Sequence, residues 1–248
     1  MTDPVNSSKT ALFLVATPIG DDDDMSVRAT RLLLEATLVI GEEFRPLTTL
    51  LKRIGRPRKS APPQTRNAEP SDIEVLNEHS KPEDVKALAD RVIEIHKAGG
   101  FTSLVSDCGT PGFCDPGAPL VQELRRRGVK VSAAPGASAL MCLLSLAGHR
   151  IDQFVFRGFL PASRDERDEA LKAVVRETHA TILMDTPYRL EKLLSELAAL
   201  MPERRAILGC DFTSSKEVVH EGKLAELSTL WAKKPDDQKK AEFMLLLR

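Results

Sequence analysis

Aromatic side chains are scarce: one Trp, one Tyr and nine Phe among 248 residues. A core must therefore be built mainly from Leu, Val, Ile and Ala, and rows of aromatic rings for stacking nucleic-acid bases are not to be expected. Cysteine is also rare. The four stand at 108, 114, 142 and 210, with no C-x-x-C pair. No disulfide framework is needed at this length, and the cysteines read as small buried hydrophobic residues. A zinc site would have to collect ligands from scattered positions, and nothing indicates a metal. Net charge is nearly absent, with 35 basic against 36 acidic residues, so any electrostatic partner signal has to be local. No apolar run approaches the roughly 20 residues that span a bilayer, and the first ten residues are polar with no apolar signal core. The expectation is a soluble, cytoplasmic chain.

What is present is an apolar share of 42%, enough for one large α/β domain or two of ordinary size. Residues 11–16 (ALFLVA) predict a buried strand, and residues 27–36 carry apolar positions at helical spacing. A strand at 38–40, a helix at 47–54 and a four-proline loop over 55–70 follow. Ser80 is placed to cap a helix that starts with Pro82 and Glu83 and runs to about Ala98. Next come a strand at 102–105, a helix at 120–127, a strand at 129–133 and a helix at 137–147. This rhythm predicts a mostly parallel sheet covered on both faces. The second half predicts strands at 154–157, 180–184, 206–210, 217–220 and 242–247, with helices at 164–176, 190–200 and 224–231. Its last strands are closely spaced, which implies antiparallel pairing and a mixed sheet. The expected organisation is a disordered tail (1–10), an N-terminal α/β domain (11–134) and a C-terminal α/β domain (135–248). Trp231, Tyr188 and the methionines at 25, 141, 184, 201 and 244 read as packing residues.

Ligands of open α/β sheets bind beyond the carboxyl ends of the strands. Three such loops are rich in Gly, Pro and polar groups: Thr17-Pro18-Ile19-Gly20, the stretch 106–117 (SDCGTPGFCDPG) and Pro135-Gly136-Ala137-Ser138. Each alone is an ordinary turn; three together point to a site, where glycines admit a ligand to the backbone and Asp or Ser supplies polar contacts. Neither GxxxxGK[ST] nor a GxGxxG after the first strand occurs, which argues against a P-loop enzyme and a Rossmann dehydrogenase.

The strings LVATPIG, LVSDCGTPGFCDPG, APGASAL, FRGFLP and MDTPYR, in this order, resemble the tetrapyrrole methylase superfamily. Within it the chain is most similar to the branch that 2'-O-methylates a cytidine ribose of small-subunit ribosomal RNA, here in a short form without the C-terminal extension of that branch. The resemblance runs from about Ala11 to the end. It implies two α/β domains with S-adenosylmethionine in the cleft between them, and a homodimer. Carried over by motif, the cofactor residues would be Pro18, Asp107, Gly109, Thr110, Phe113, Gly136, Ala137, Ser138, Ala139, Met184, Asp185, Gly209, Cys210 and Phe243. Glu42 and Arg45 match the family's Glu-Asp-Thr-Arg, and with Asp115 they are the catalytic candidates; Arg189 and Glu217 also fall on matching positions. For each, an ion pair that organises a loop is the competing reading.

Several positions depart from the pattern. Asp21-Asp22 replaces Asn-Leu and makes a run of four aspartates, which repels phosphates or serves the N-terminal end of the following helix. Phe44 replaces Thr, Asp185 replaces Glu, and Asp211-Phe212-Thr213-Ser214 stands for Glu-Leu-Thr-Lys. Conversely, residues 44–68 hold no acid but contain Arg45, Lys52, Arg53, Arg56, Arg58, Lys59 and Arg66, a phosphate track or a solvated loop. His79 alone of the histidines lies in a family-like segment. Three functions remain open: an RNA ribose methyltransferase, a methyltransferase for a small molecule such as a tetrapyrrole, and a cofactor-binding module without catalysis.

Overall fold

The computed structural model describes residues 10–55 and 72–248, so the expected loop over 55–70, apart from Gly55, and most of the tail lie outside the described residues. The chain divides into two compact units: residues up to Pro18 with Asp22–Ser138, and Ile19–Asp21 with Ala139–Arg248.

The first unit is a five-stranded parallel sheet in the order β3-β2-β4-β1-β5. Its strands are β1 (Leu12–Val15), β2 (Leu38–Gly41), β3 (Ile73–Val75), β4 (Thr102–Leu104) and β5 (Val131–Ala134). Successive side chains of a strand point to opposite faces. Phe13 and Val15 accordingly pack with α1 (Val27–Glu35) and α2 (Phe44–Arg53), while Leu12 and Leu14 pack with α3 (Pro82–Lys97) and α4 (Ala118–Arg126). Both faces are covered, which is why β1 (LFLV) and β2 (LVIG) read as apolar runs rather than alternations.

Local signals start and stop these helices. Ser26 Oγ accepts from Ala29 N at 3.0 Å and caps α1. The expected cap at Ser80 does not form. Lys81 occupies that place, Asp84 accepts from Lys81 N at 2.8 Å, and Ser80 Oγ instead accepts from Asn77 N at 3.0 Å to close the preceding turn. Strand β3 was not foreseen, because three residues are too few to show a period.

The second unit is a mixed sheet, β6-β7-β10-β8-β9, in which only β6 and β7 run parallel. It comprises β6 (Phe154–Gly158), β7 (Ala180–Asp185), β8 (Arg205–Cys210), β9 (Val218–Lys223) and β10 (Phe243–Leu247). Alternation in β10 divides the core. Phe243, Leu245 and Leu247 face α6 (Arg164–Arg176), α7 (Leu190–Leu200) and α8 (Leu224–Ala232), and Met244 and Leu246 face α5 (Ala139–Leu146). Trp231 is fully buried, and its indole N–H donates to Lys239 O at 3.2 Å.

Three composition-based expectations fail. Met141 and Tyr188 are exposed, the tyrosine ring lying under the Lys240 ammonium, and Cys108 and Cys114 are exposed rather than buried. Apolar character in a short run does not say which face a helix or loop turns inward. No described helix is long and apolar enough to cross a membrane.

Candidate active site

Strand order places the site of the first unit. From β1 the chain crosses β4 to reach β2, and from β4 it crosses β1 to reach β5. These adjacent strands thus send their connections to opposite faces of the sheet, and ligands of such sheets bind beyond the carboxyl ends at that point. The loops there are 16–26 and 105–117.

The two loops are tied together. Thr17 and Gly109 exchange backbone hydrogen bonds of 2.9 and 3.1 Å, and Thr17 Oγ1 donates to Ser106 O at 3.3 Å. Gly109 has φ +83°, a backbone state that favours glycine. Ser106 Oγ donates to Cys108 O at 3.1 Å, within the turn. Asp115 clamps the rest of the loop: one oxygen accepts from Gly112 N (2.6 Å), the other from Gly117 N (2.8 Å). Thr110 Oγ1 reaches Ala137 O at 3.0 Å and joins this loop to the one after β5. A Cβ on Gly136 would lie 2.9 Å from Ala16 Cβ, so only glycine lets that loop approach the end of β1. Pro18, Asp107, Gly109, Thr110, Phe113, Gly136, Ala137 and Ser138 therefore belong to one set of linked loops. Phe113 is 53% exposed and offers an open apolar surface there.

Glu42 follows β2 and accepts from Asp107 N at 3.2 Å. Partial burial, with Asp107, Asp115 and Glu78 nearby, holds its carboxyl above the usual carboxylate range. Asp107 is raised too, through partial loss of solvent and the charge of Glu43. Beside them lies a cavity of 370 Å³ whose lining includes Thr17, Pro18, Ser106, Asp107, Arg45 and Arg53. Leu47 and Leu51 anchor α2 in the core, leaving Arg45, Thr49 and Arg53, four residues apart in turn, on its open face.

In the second unit, register gathers the remaining candidates at neighbouring strand ends: Phe243 pairs with Asp185 and Cys210, and Met244 with Met184 and Gly209. Their setting is closed. Asp185 is 3% exposed; it accepts from Thr186 N at 2.8 Å and lies 3.5 Å from both Arg167 and Arg189. Burial pushes the Cys210 thiol up to about 12, with Asp211 adding to the effect. The Phe212 ring covers Gly209, where a Cβ would stand 2.1 Å from its Cζ. Glu217 accepts from Thr213 N at 2.6 Å and supports a residue with φ +61°. Ile19 packs in this unit with Ala139 on the α5 face, and Asp21 N donates to Thr213 Oγ1 at 3.0 Å.

The family model for Tetrapyrrole (Corrin/Porphyrin) Methylases matches residues 11–228. The chain belongs to the tetrapyrrole methylase family. Among its relatives, the ribosomal RNA small subunit methyltransferase I of Leptospira borgpetersenii serovar Hardjo-bovis (strain L550) is 37% identical over 88% of this chain and 81% of its own. The protein of that name from Pseudomonas aeruginosa (strain PAO1) is 35% identical over 95% and 78%. A solved diphthine synthase shares the fold at 21% identity, with a TM-score of 0.62 over 95% of this chain and 89% of that one.

The linked loops thus combine a close backbone approach at Gly136, an exposed carboxylate at Asp107 and an exposed Thr110, while the Thr17 hydroxyl is buried and spent on Ser106 O. Sequence reasoning missed Glu78, whose charge bears on Glu42, and Thr49 in the cavity wall. Glu78 could have been found from Asn77-Glu78-His79-Ser80, the segment that drew notice for its histidine. Among the described residues, His79 makes only a local turn contact to Asn77 through its backbone N–H.

Proposed function

We propose that the chain transfers a methyl group from S-adenosylmethionine to a ribose 2'-hydroxyl of small-subunit ribosomal RNA. Methyltransferase chemistry and this cofactor go with family membership; the acceptor and the residue roles are the proposal. The observation that carries it is Glu42: a half-buried carboxylate with a raised pKa, anchored to the backbone N–H of Asp107, which itself lines the cavity that Arg45 and Arg53 share.

The bound cofactor supplies an electrophilic methyl on a sulfonium. Displacement is in line, so alignment supplies much of the acceleration. Ionised Glu42 accepts the proton of the attacking hydroxyl, and its raised pKa makes it a stronger base than an ordinary carboxylate. Arg45 pairs with no carboxylate among the described residues, and its charge steadies the developing oxyanion. Asp115 positions the loop that carries Gly109, Thr110 and Phe113. The same reading assigns Ala139, Met184, Asp185, Gly209, Cys210 and Phe243 to the cofactor, with a cytoplasmic homodimer as the working form.

Incubating labelled cofactor with small ribosomal subunits, bulk RNA and precorrins tests the acceptor. Label in small-subunit RNA alone is expected. Label in precorrins alone overturns the acceptor, and calorimetry without any cofactor affinity overturns the enzyme.

A further inference from the structure

The wall of the 370 Å³ cavity holds a charge pair that the chemistry above does not use. Asp22, second of the four aspartates, lies 2.6 Å from Arg53, and both side chains are more than half exposed. Arg53 stands eight residues beyond Arg45 on the open face of α2, about 12 Å along the helix at 1.5 Å per residue. An acceptor hydroxyl at Glu42 and Arg45 would place a flanking part of the same strand near Arg53. Resting on the RNA reading, we infer that Arg53 is a phosphate contact for the acceptor strand and that Asp22 occupies it until a phosphate displaces the carboxylate.

The physics favours a displaceable pair. An exposed ion pair contributes little, because water and salt screen it and two long side chains must be held in place. A phosphate of a polyanion can therefore take the guanidinium, gaining a charge-assisted contact and releasing condensed counterions. A neutral ligand cannot displace Asp22. The acidic run then weakens unspecific polyanion binding while leaving room for a strand already seated at the reacting end. The long apolar stems of α2 are not in question, since Leu47 and Leu51 fix the helix independently of Arg53.

The experiment uses the full chain, a fluorescent single-stranded cytidine-containing RNA oligonucleotide and anisotropy titrations over a range of salt. Asp22→Asn is expected to tighten binding about two- to five-fold at low salt, the range of one exposed pair. It should also steepen the log affinity against log salt line by about 0.7. In an Arg53→Gln background the gain should vanish, whereas Arg53→Lys should keep most of it, which separates loss of the contact from loss of fold. A gain of equal size in the Arg53→Gln background would mean a general charge effect and would overturn the inference, as would no change on Asp22→Asn. Calorimetry with S-adenosylmethionine on the same proteins separates the two levels: intact cofactor binding with unresponsive RNA binding removes only the phosphate contact, while absent cofactor binding removes the enzyme reading itself.

Discussion

The two units hold their candidate residues in opposite physical settings. In the first, Asp107, Thr110 and Phe113 ride on loops and are exposed, each held by a hydrogen bond between a side chain and a backbone group. In the second, Asp185, Cys210 and Phe243 end strands and are almost wholly buried. The contrast follows from topology. A parallel sheet collects all its carboxyl-end loops at one edge, free of the core; a mixed sheet paired to its last residue makes the strand end part of the core. Residues of the first kind can be changed with little effect on stability and a large effect on chemistry. Residues of the second kind answer first in stability.

Asp185→Asn should show the largest loss of stability. It leaves the buried Arg167 guanidinium with Glu196 as its remaining carboxylate, 2.8 Å away, so a loss of about 3 kcal/mol is expected, at the low end for a broken buried pair. Urea denaturation measures it, and a loss below about 1 kcal/mol would break the contrast. Glu42→Gln should do the reverse. Methyl transfer should fall by about 100-fold or more while stability stays within about 0.5 kcal/mol of the parent. Single-turnover methylation and thermal melting, run side by side, decide this. Gly209→Ala should lower stability by about 1–3 kcal/mol, because the new methyl forces the Phe212 ring aside.

The smallest effect concerns pH. Glu42 binds its proton more tightly in the folded chain than in the unfolded one. Its contribution to stability is therefore greatest below the unfolded pKa and is lost as pH rises through the higher folded value. Activity should move the other way and rise with pH over the same window as the base ionises. Rate and melting profiles of the parent and Glu42→Gln should differ only there. A parent rate that stays flat through that window would take the proton-accepting role from Glu42.

Much of the fold was legible because apolar periodicity is local. Helices α6 and α7 fall on their expected residues, and the run LFLV of β1 is apolar at every position because helices cover both faces of its sheet. The cap at Ser80 misled because Asn77 engages its hydroxyl first. Met141 lies in an apolar run yet faces solvent, since Leu143, with Leu140 and Leu144 beside it, is the side of α5 that meets the sheet.

The sequence by itself determined the strands, the helices and the composition of three glycine-bearing loops, since each depends on residues near one another in the chain. Only tertiary structure decided which loops meet. Thr17 reaches Ser106 and Gly109 across about 90 positions, and Glu42 reaches Asp107 across 65. Those partners were set by strand order, and strand order depends on how helices cover both faces of a sheet rather than on any short stretch of residues.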